Sequence, residues 1–155
     1  MQRNQKGFTL VELIVVILLV SILSVYAASR FSGVSSVSAY AAREQAISII
    51  RQIQLDRMQS NLSSTTTDSD YTLYVSGSCL GSYQACNLGG NSRSDILQGN
   101  ELSFSTSPPV SVIEFSLLGN PLGSAASGVT ISIDAPASQS SVCLNSQGYV
   151  SQGPC

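Results

Sequence analysis

The sequence predicts an α+β protein: one long N-terminal helix, about residues 8–62, followed by an antiparallel β-sandwich-like domain. Three observations carry that reading. An aliphatic run fills residues 8–28, and a helical pattern continues from it to about residue 62. Beyond that point the apolar period changes to alternation, in short stretches separated by Gly, Pro, Asn and Ser clusters.

The first half of the helix is apolar all round. From Phe8 to Ala28, 21 residues carry one charge, Glu12. At a rise of ~1.5 Å per residue, such a run spans a hydrocarbon core of ~30 Å. Arg3 and Lys6 precede it. Beyond Leu62 a single base, Arg93, stands against Asp68, Asp70, Asp95, Glu101, Glu114 and Asp134, a net of −5. Basic residues stay on the cytoplasmic side, so the expected topology is a single pass with a cytoplasmic N-terminus and the distal domain outside. A lone carboxylate in such a run costs roughly 2.5–3.5 kcal/mol on insertion scales. No base lies beside Glu12 within the run, so its partner is expected elsewhere.

From Arg30 to Leu62 there is no proline and one glycine, Gly33. Ile47, Ile50, Leu55, Met58 and Leu62 recur at helical spacing and are expected to face a core, with Arg43, Glu44, Arg51 and Asp56 largely off that face. The polar "SSTTTDSD" (63–70) then reads as a linker whose side chains compete for backbone hydrogen bonds. Strands are expected within "YTLYV" (71–75), "ELSFSTS" (101–107), "SVIEFSLLG" (111–119), "GVTISID" (128–134), "SVCLN" (141–145) and "GYVSQG" (148–153), forming two packed sheets. "SPP" (107–109) belongs in a loop or at a sheet edge, and "NSQG" (145–148) in a tight hairpin turn.

Cys79, Cys86, Cys143 and Cys155 all lie beyond the apolar run. An even count in an exported chain reads as two disulfides; of the three possible pairings, spacing favours the local ones, Cys79–Cys86 and Cys143–Cys155. A four-thiolate zinc site wants paired Cys-x-x-Cys knuckles, which the sequence lacks. Histidine is absent and charged residues make up only 10% of the chain. Ser-His-Asp and Cys-His constellations are therefore impossible within this chain, and a metal or other cofactor is not expected. An acidic distal half with one base offers little to nucleic acid, whose binding runs on Lys and Arg.

The segment "KGFTLVELIVVILLVSILSVYAAS" resembles the N-terminus of type IV pilins and type II secretion pseudopilins. "GFTLVE" matches their signature over Gly7 to Glu12. The resemblance implies cleavage between Gly7 and Phe8 by the prepilin peptidase, N-methylation of Phe8, and retention of the apolar helix. It divides the chain into a leader (1–7), a transmembrane and assembly half-helix (8–28), an amphipathic half-helix (29–62) and a disulfide-stapled β domain (63–155). It also implies a partner for Glu12: the amine of Phe8 on a neighbouring subunit. Two rival readings, an ordinary signal cut after Ala27 and a plain anchor helix, leave Glu12 unexplained.

The distal half resembles minor pilins and pseudopilins of the general-secretion H and fimbrial T type, through Phe115, Gly119, Ile131, Gly148 and Val150. Among these it is most similar to the C-type minor pilins of mannose-sensitive haemagglutinin pili in marine bacteria. Ser29 stands where major pilins often carry a proline, which implies a straighter helix. The Cys143–Cys155 segment resembles the disulfide-bounded loop of many pilins, either a contact surface or a stapled last hairpin.

The function this implies is that of a minor pilin, a structural subunit that initiates or tips a type IV pilus for attachment. The chain is expected in the inner membrane and then in the fibre, with other pilin subunits and the prepilin peptidase as partners. A type II secretion pseudopilin is the alternative. A DNA-uptake minor pilin would need a basic stripe, and a membrane-anchored hydrolase would need a base that this composition does not supply.

Overall fold

The computed structural model describes residues 8–31, 38–62, 70–88, 93–99 and 101–155. The chain divides into two units, residues 1–35 and 36–155. The first contains helix α1 (Leu10–Phe31). The second begins with helix α2 (Ser38–Gln59). The continuity of a single helix across 8–62 rests on residues 32–37, which lie outside the described residues. So does most of the expected linker at 63–70.

Two four-stranded antiparallel sheets follow. One has the order β3-β2-β1-β5, built from β1 (Thr72–Ser76), β2 (Cys79–Ser82), β3 (Ile96–Gln98) and β5 (Val112–Glu114). The other has the order β4-β6-β7-β8, from β4 (Ser103–Ser107), β6 (Val129–Ala135), β7 (Ser138–Leu144) and β8 (Val150–Gln152). A short helix α3 (Tyr83–Leu88) follows β2 directly. The protein is therefore α+β, with an N-terminal helical part and an antiparallel β domain.

Helix α2 packs on both sheets and supplies the centre of the core. Val129, Ile131 and Ile133 alternate inward along β6, and Ile131 and Val129 stand opposite Val142 and Leu144 of β7. Leu144 in turn faces Val150 of β8, so one row of side chains crosses three strands. Leu73, Val75, Leu80 and Ile113 of the first sheet, with Phe104 of β4, join the same cluster.

The apolar stripe of α2 differs from the one expected. Ile47 and Ile50 are buried, but Leu55, Met58 and Leu62 are about half exposed. The core face runs instead through Ala39, Ala42, Ala46, Ile49, Ile50 and Ile53, and then through two polar residues, Gln54 and Arg57. The reason is steric. Small alanines let the helix axis approach strands on two sides, and the bulkier Leu and Met are left on the outward face. The β2–α3–β3 segment was not expected from sequence. All four residues of β2 are buried, so it shows no alternation. The stretch "SVIEFSLLG" is strand only over Val112–Glu114. Phe115 then forms a single bridge to Pro121, and the chain turns. The turn "NSQG" closes β7 onto β8: Asn145 Oδ1 accepts from the N–H groups of Gln147 and Tyr149, both at 2.9 Å.

Candidate assembly site

The N-terminal features are built on the first turn of α1. Thr9 precedes the helix and Glu12 sits in its first turn. Leu13 N–H donates to Thr9 O at 3.2 Å, closing the first helical turn. Glu12 N–H donates to Thr9 Oγ1 at 3.2 Å. In return Glu12 Oε2 accepts from Thr9 N–H and from the Thr9 hydroxyl, both at 3.3 Å. This is a capping box: Thr at the N-cap and Glu three residues on satisfy two orphan donors reciprocally. The sequence reading of Glu12 missed it, although the signal, Thr-x-x-Glu, stands inside "GFTLVE". Glu12 is thus not a bare carboxylate. A cap of this kind is worth about 0.5–2 kcal/mol, against the roughly 2.5–3.5 kcal/mol that the charge costs in lipid. In a membrane these local bonds would offset part of that cost.

From Leu13 to Val25 the polar residues are Ser21 and Ser24. Ser21 and Ser24 donate their hydroxyls back to Ile17 O and Val20 O, at 2.6 and 2.7 Å. Every aliphatic side chain from Leu10 to Val25 is exposed within the described chain, from 44% at Ile14 to 74% at Val25. Side chains of α1 are described as far as Tyr26. Among the described residues, no helix is long and apolar enough to cross a membrane. Phe8 is exposed, and Gly7 lies outside the described residues.

In the distal unit the structure brings together the five positions singled out above. Phe115, Ile131 and Val150 are in the core. Gly119 and Gly148 both have φ of 80° and lie against each other. Buried Gln54 donates through Nε2 to Gly119 O and to Gly148 O, each at 2.8 Å. One helical amide therefore pins two loops. Arg51 Nη2 donates to Val150 O at 2.9 Å, and Arg57 Nε to Phe115 O at 3.0 Å. Around this framework Leu118 and Tyr149 are exposed. Sequence reasoning missed Gln54 and Arg57, because nothing local marks the bonds they make to carbonyls in distant loops.

Cys79 of β2 is bonded to Cys86 of α3, and Cys143 of β7 to the C-terminal Cys155. The first bond ties α3 to the strand that precedes it, and Tyr83 of α3 packs edge-on against Tyr74 at 5.3 Å. The second draws the C-terminus across the sheet, where Cys155 N–H donates to Thr130 Oγ1 at 2.9 Å.

Arg93, the one base beyond Leu62, is committed to carboxylates. It contacts Asp95 through Nε at 2.8 Å and Nη2 at 2.7 Å, and Asp70 through Nη2 at 2.6 Å. Asp95 is buried and also accepts from the Ser82 hydroxyl, whose oxygen in turn accepts Ala85 N–H and caps α3. The hydrogen bond from Arg93 holds the Asp95 carboxyl below its ordinary value; burial opposes this, and the Ser82 bond adds to it. Asp95 contributes stability in full above its unfolded value of about 3.8, and loses it as pH falls through the lowered folded value. Urea midpoints of wild type and Asp95→Asn are therefore expected to differ most near pH ~6, and to draw together as pH falls below about 3.8 and through the lowered folded value. A constant difference across that range would show that the charge on Asp95 contributes nothing.

The N-terminal segment matches the prokaryotic N-terminal methylation motif over residues 2–28. No protein of curated function matches the sequence significantly. In solved structures, the chain is similar to the type IV minor pilin FimU of Pseudomonas aeruginosa strain PAO1, seen in two crystal forms. Against the P21 form the TM-score is 0.50 at 10% identity, covering 75% of this chain and 88% of that one. Against the P65 form the TM-score and identity are the same, with 74% and 92% covered. At that identity the likeness is one of fold. The chain is thus an α+β protein that joins a prokaryotic N-terminal methylation motif to the fold of a type IV minor pilin.

Proposed function

We propose that this chain is a minor pilin, a structural subunit that initiates or tips a type IV pilus used for attachment. The observation that carries the reading is the coincidence, on one chain, of the methylation motif at residues 2–28 and a fold similar to that of FimU over 75% of the chain. In this reading the prepilin peptidase cuts between Gly7 and Phe8, and Phe8 is N-methylated. The apolar helix holds the subunit in the inner membrane, with the β domain in the periplasm, until assembly. Glu12 then meets the Phe8 amine of a neighbouring subunit, an ion pair in low dielectric where loss of one side is costly. The exposed aliphatic surface of α1 supports the same reading, since it offers a continuous face for packing against like helices once lipid is left behind.

The type II secretion pseudopilin reading shares the motif and the assembly chemistry. It differs in the fibre that receives the subunit, and the likeness to FimU favours the pilus.

N-terminal sequencing of the mature protein should begin at N-methylated Phe8; a start at Ala28 would sink the proposal. Glu12→Ala should insert and be processed normally, yet fall by tenfold or more in sheared fibres, as expected when a desolvated charge loses its partner. Wild-type recovery of that variant in fibres would remove the role given to Glu12. Immunogold labelling of intact pili, with label at one end, would separate a tip subunit from a pseudopilus component confined to the periplasm.

A further inference from the structure

We propose that Thr9 is the positioning residue for Glu12: its hydroxyl and amide hold one carboxylate oxygen against the helix N-terminus, so that the other is presented outward before assembly. The inference rests on the assembly role of Glu12 proposed above and assigns a part to a residue not yet given one. Three contacts carry it. Oε2 accepts from Thr9 N–H and Thr9 O–H, and Thr9 Oγ1 accepts the N–H of Glu12 itself. Among the described residues Oε1 takes no donor. A carboxylate has about four acceptor sites, and Thr9 engages only the Oε2 side. A secondary ammonium such as N-methylated Phe8 of a neighbouring subunit carries two N–H donors, and Oε1 is the oxygen open to them.

The effect is pre-organisation. A glutamate side chain on a free helix surface samples many rotamers, and an intersubunit pair has to freeze one of them. With Oε2 tethered at the N-cap, that ordering is already done within the single chain. The hydroxyl is the specific requirement. Valine has nearly the shape of threonine and lacks both the donor to Oε2 and the acceptor for Glu12 N–H; serine retains both.

The test uses the full-length mature protein. In lipid nanodiscs, amide exchange of Glu12 is followed by NMR in wild type, Thr9→Val and Thr9→Ser. Loss of the cap is expected to speed exchange at Glu12 about tenfold in Thr9→Val, with Thr9→Ser close to wild type. In cells, Thr9→Val is expected to be processed at Gly7–Phe8 and inserted as wild type, yet to enter sheared fibres at least fivefold less, with Thr9→Ser restoring entry. Wild-type exchange in Thr9→Val overturns the proposal. So does faster exchange with undiminished entry into fibres, because the box would then exist without positioning anything. Normal assembly of Glu12→Ala is the separate signature of failure in the assembly reading, since it is read in a variant that keeps Thr9.

Discussion

Gly148→Ala is expected to destabilise the distal unit by about 3 kcal/mol or more, although it adds a single methyl group. Gly148 has a φ of 80°, in the left-handed region where an L side chain costs about 1–2 kcal/mol. That cost alone would be tolerable. The larger effect is contact: a Cβ at this position would run into the carbonyl of Gly119, and would lie 3.2 Å from Gln54 Nε2. Neither neighbour yields easily. Gly119 sits in its own left-handed turn, with its N–H donating to Ser116 O at 3.0 Å, and its carbonyl is held by Gln54. Moving the two loops apart breaks at least one of the two bonds that Gln54 makes and leaves a buried amide short of a partner. Urea unfolding of residues 36–155 measures the loss. Gly153→Ala is the control: Gly153 has a similar φ of 91°, but a Cβ there meets nothing within 4 Å. It should therefore cost only the conformational part. Equal losses in the two variants would show that the close approach of the loops carries no energy.

How much of this could be read from sequence depends on whether the signal is local. The alternation of Val129, Ile131 and Ile133 announces a strand because one face of β6 is buried and the other is only partly so. The Thr-x-x-Glu box at residues 9–12 is equally local, four residues long. The core face of α2 was harder to read. Alanine weighs little on any apolar count, yet Ala39, Ala42 and Ala46 are the residues that let two sheets close on one helix. Leu55 and Met58 weigh heavily and point outward. The β2–α3–β3 segment is held by a disulfide, by the cap that Ser82 places on α3 and by the Asp95–Arg93 pair, none of which has a period. Gln54 and Arg57 were illegible for a different reason. The distant loop carbonyls they bind, at Phe115, Gly119 and Gly148, lie 58 to 94 residues away in sequence and identify themselves only once the loops are folded.

Arg57 carries the second large effect. The residue is 3% exposed, and among the described residues no carboxylate pairs with its guanidinium. A charge buried in that way persists only when its hydrogen bonds are good. Nε donates to Phe115 O at 3.0 Å, and Nη1 to Ser60 Oγ at 2.7 Å and Leu62 O at 2.9 Å. The first of these bonds matters most. Pairing of β1 with β5 ends at Thr72 and Glu114, one residue short of Phe115, so the ladder offers that carbonyl nothing. Arg57 takes the place of the missing strand donor, and its other bonds fasten the chain that leaves α2. Replacement by methionine keeps an unbranched apolar stem of similar reach and removes every donor. It leaves the Phe115 carbonyl buried without a partner, at a cost of about 1–3 kcal/mol, and frees the segment after α2 as well. The expected loss for Arg57→Met is therefore about 3 kcal/mol, read from urea unfolding of residues 36–155. Arg57→Lys should recover only part of it, because one ammonium at the end of a flexible stem does not reproduce a planar fork aimed at three acceptors. Hydrogen exchange gives the sharper discrimination. If Arg57 acts as a substitute strand donor, Arg57→Met should raise exchange around the Phe115–Pro121 turn and at residues 60–62 more than in β6 and β7. Uniform acceleration across both sheets would mean that Arg57 is only a packed stem, and the hydrogen-bond account would fail.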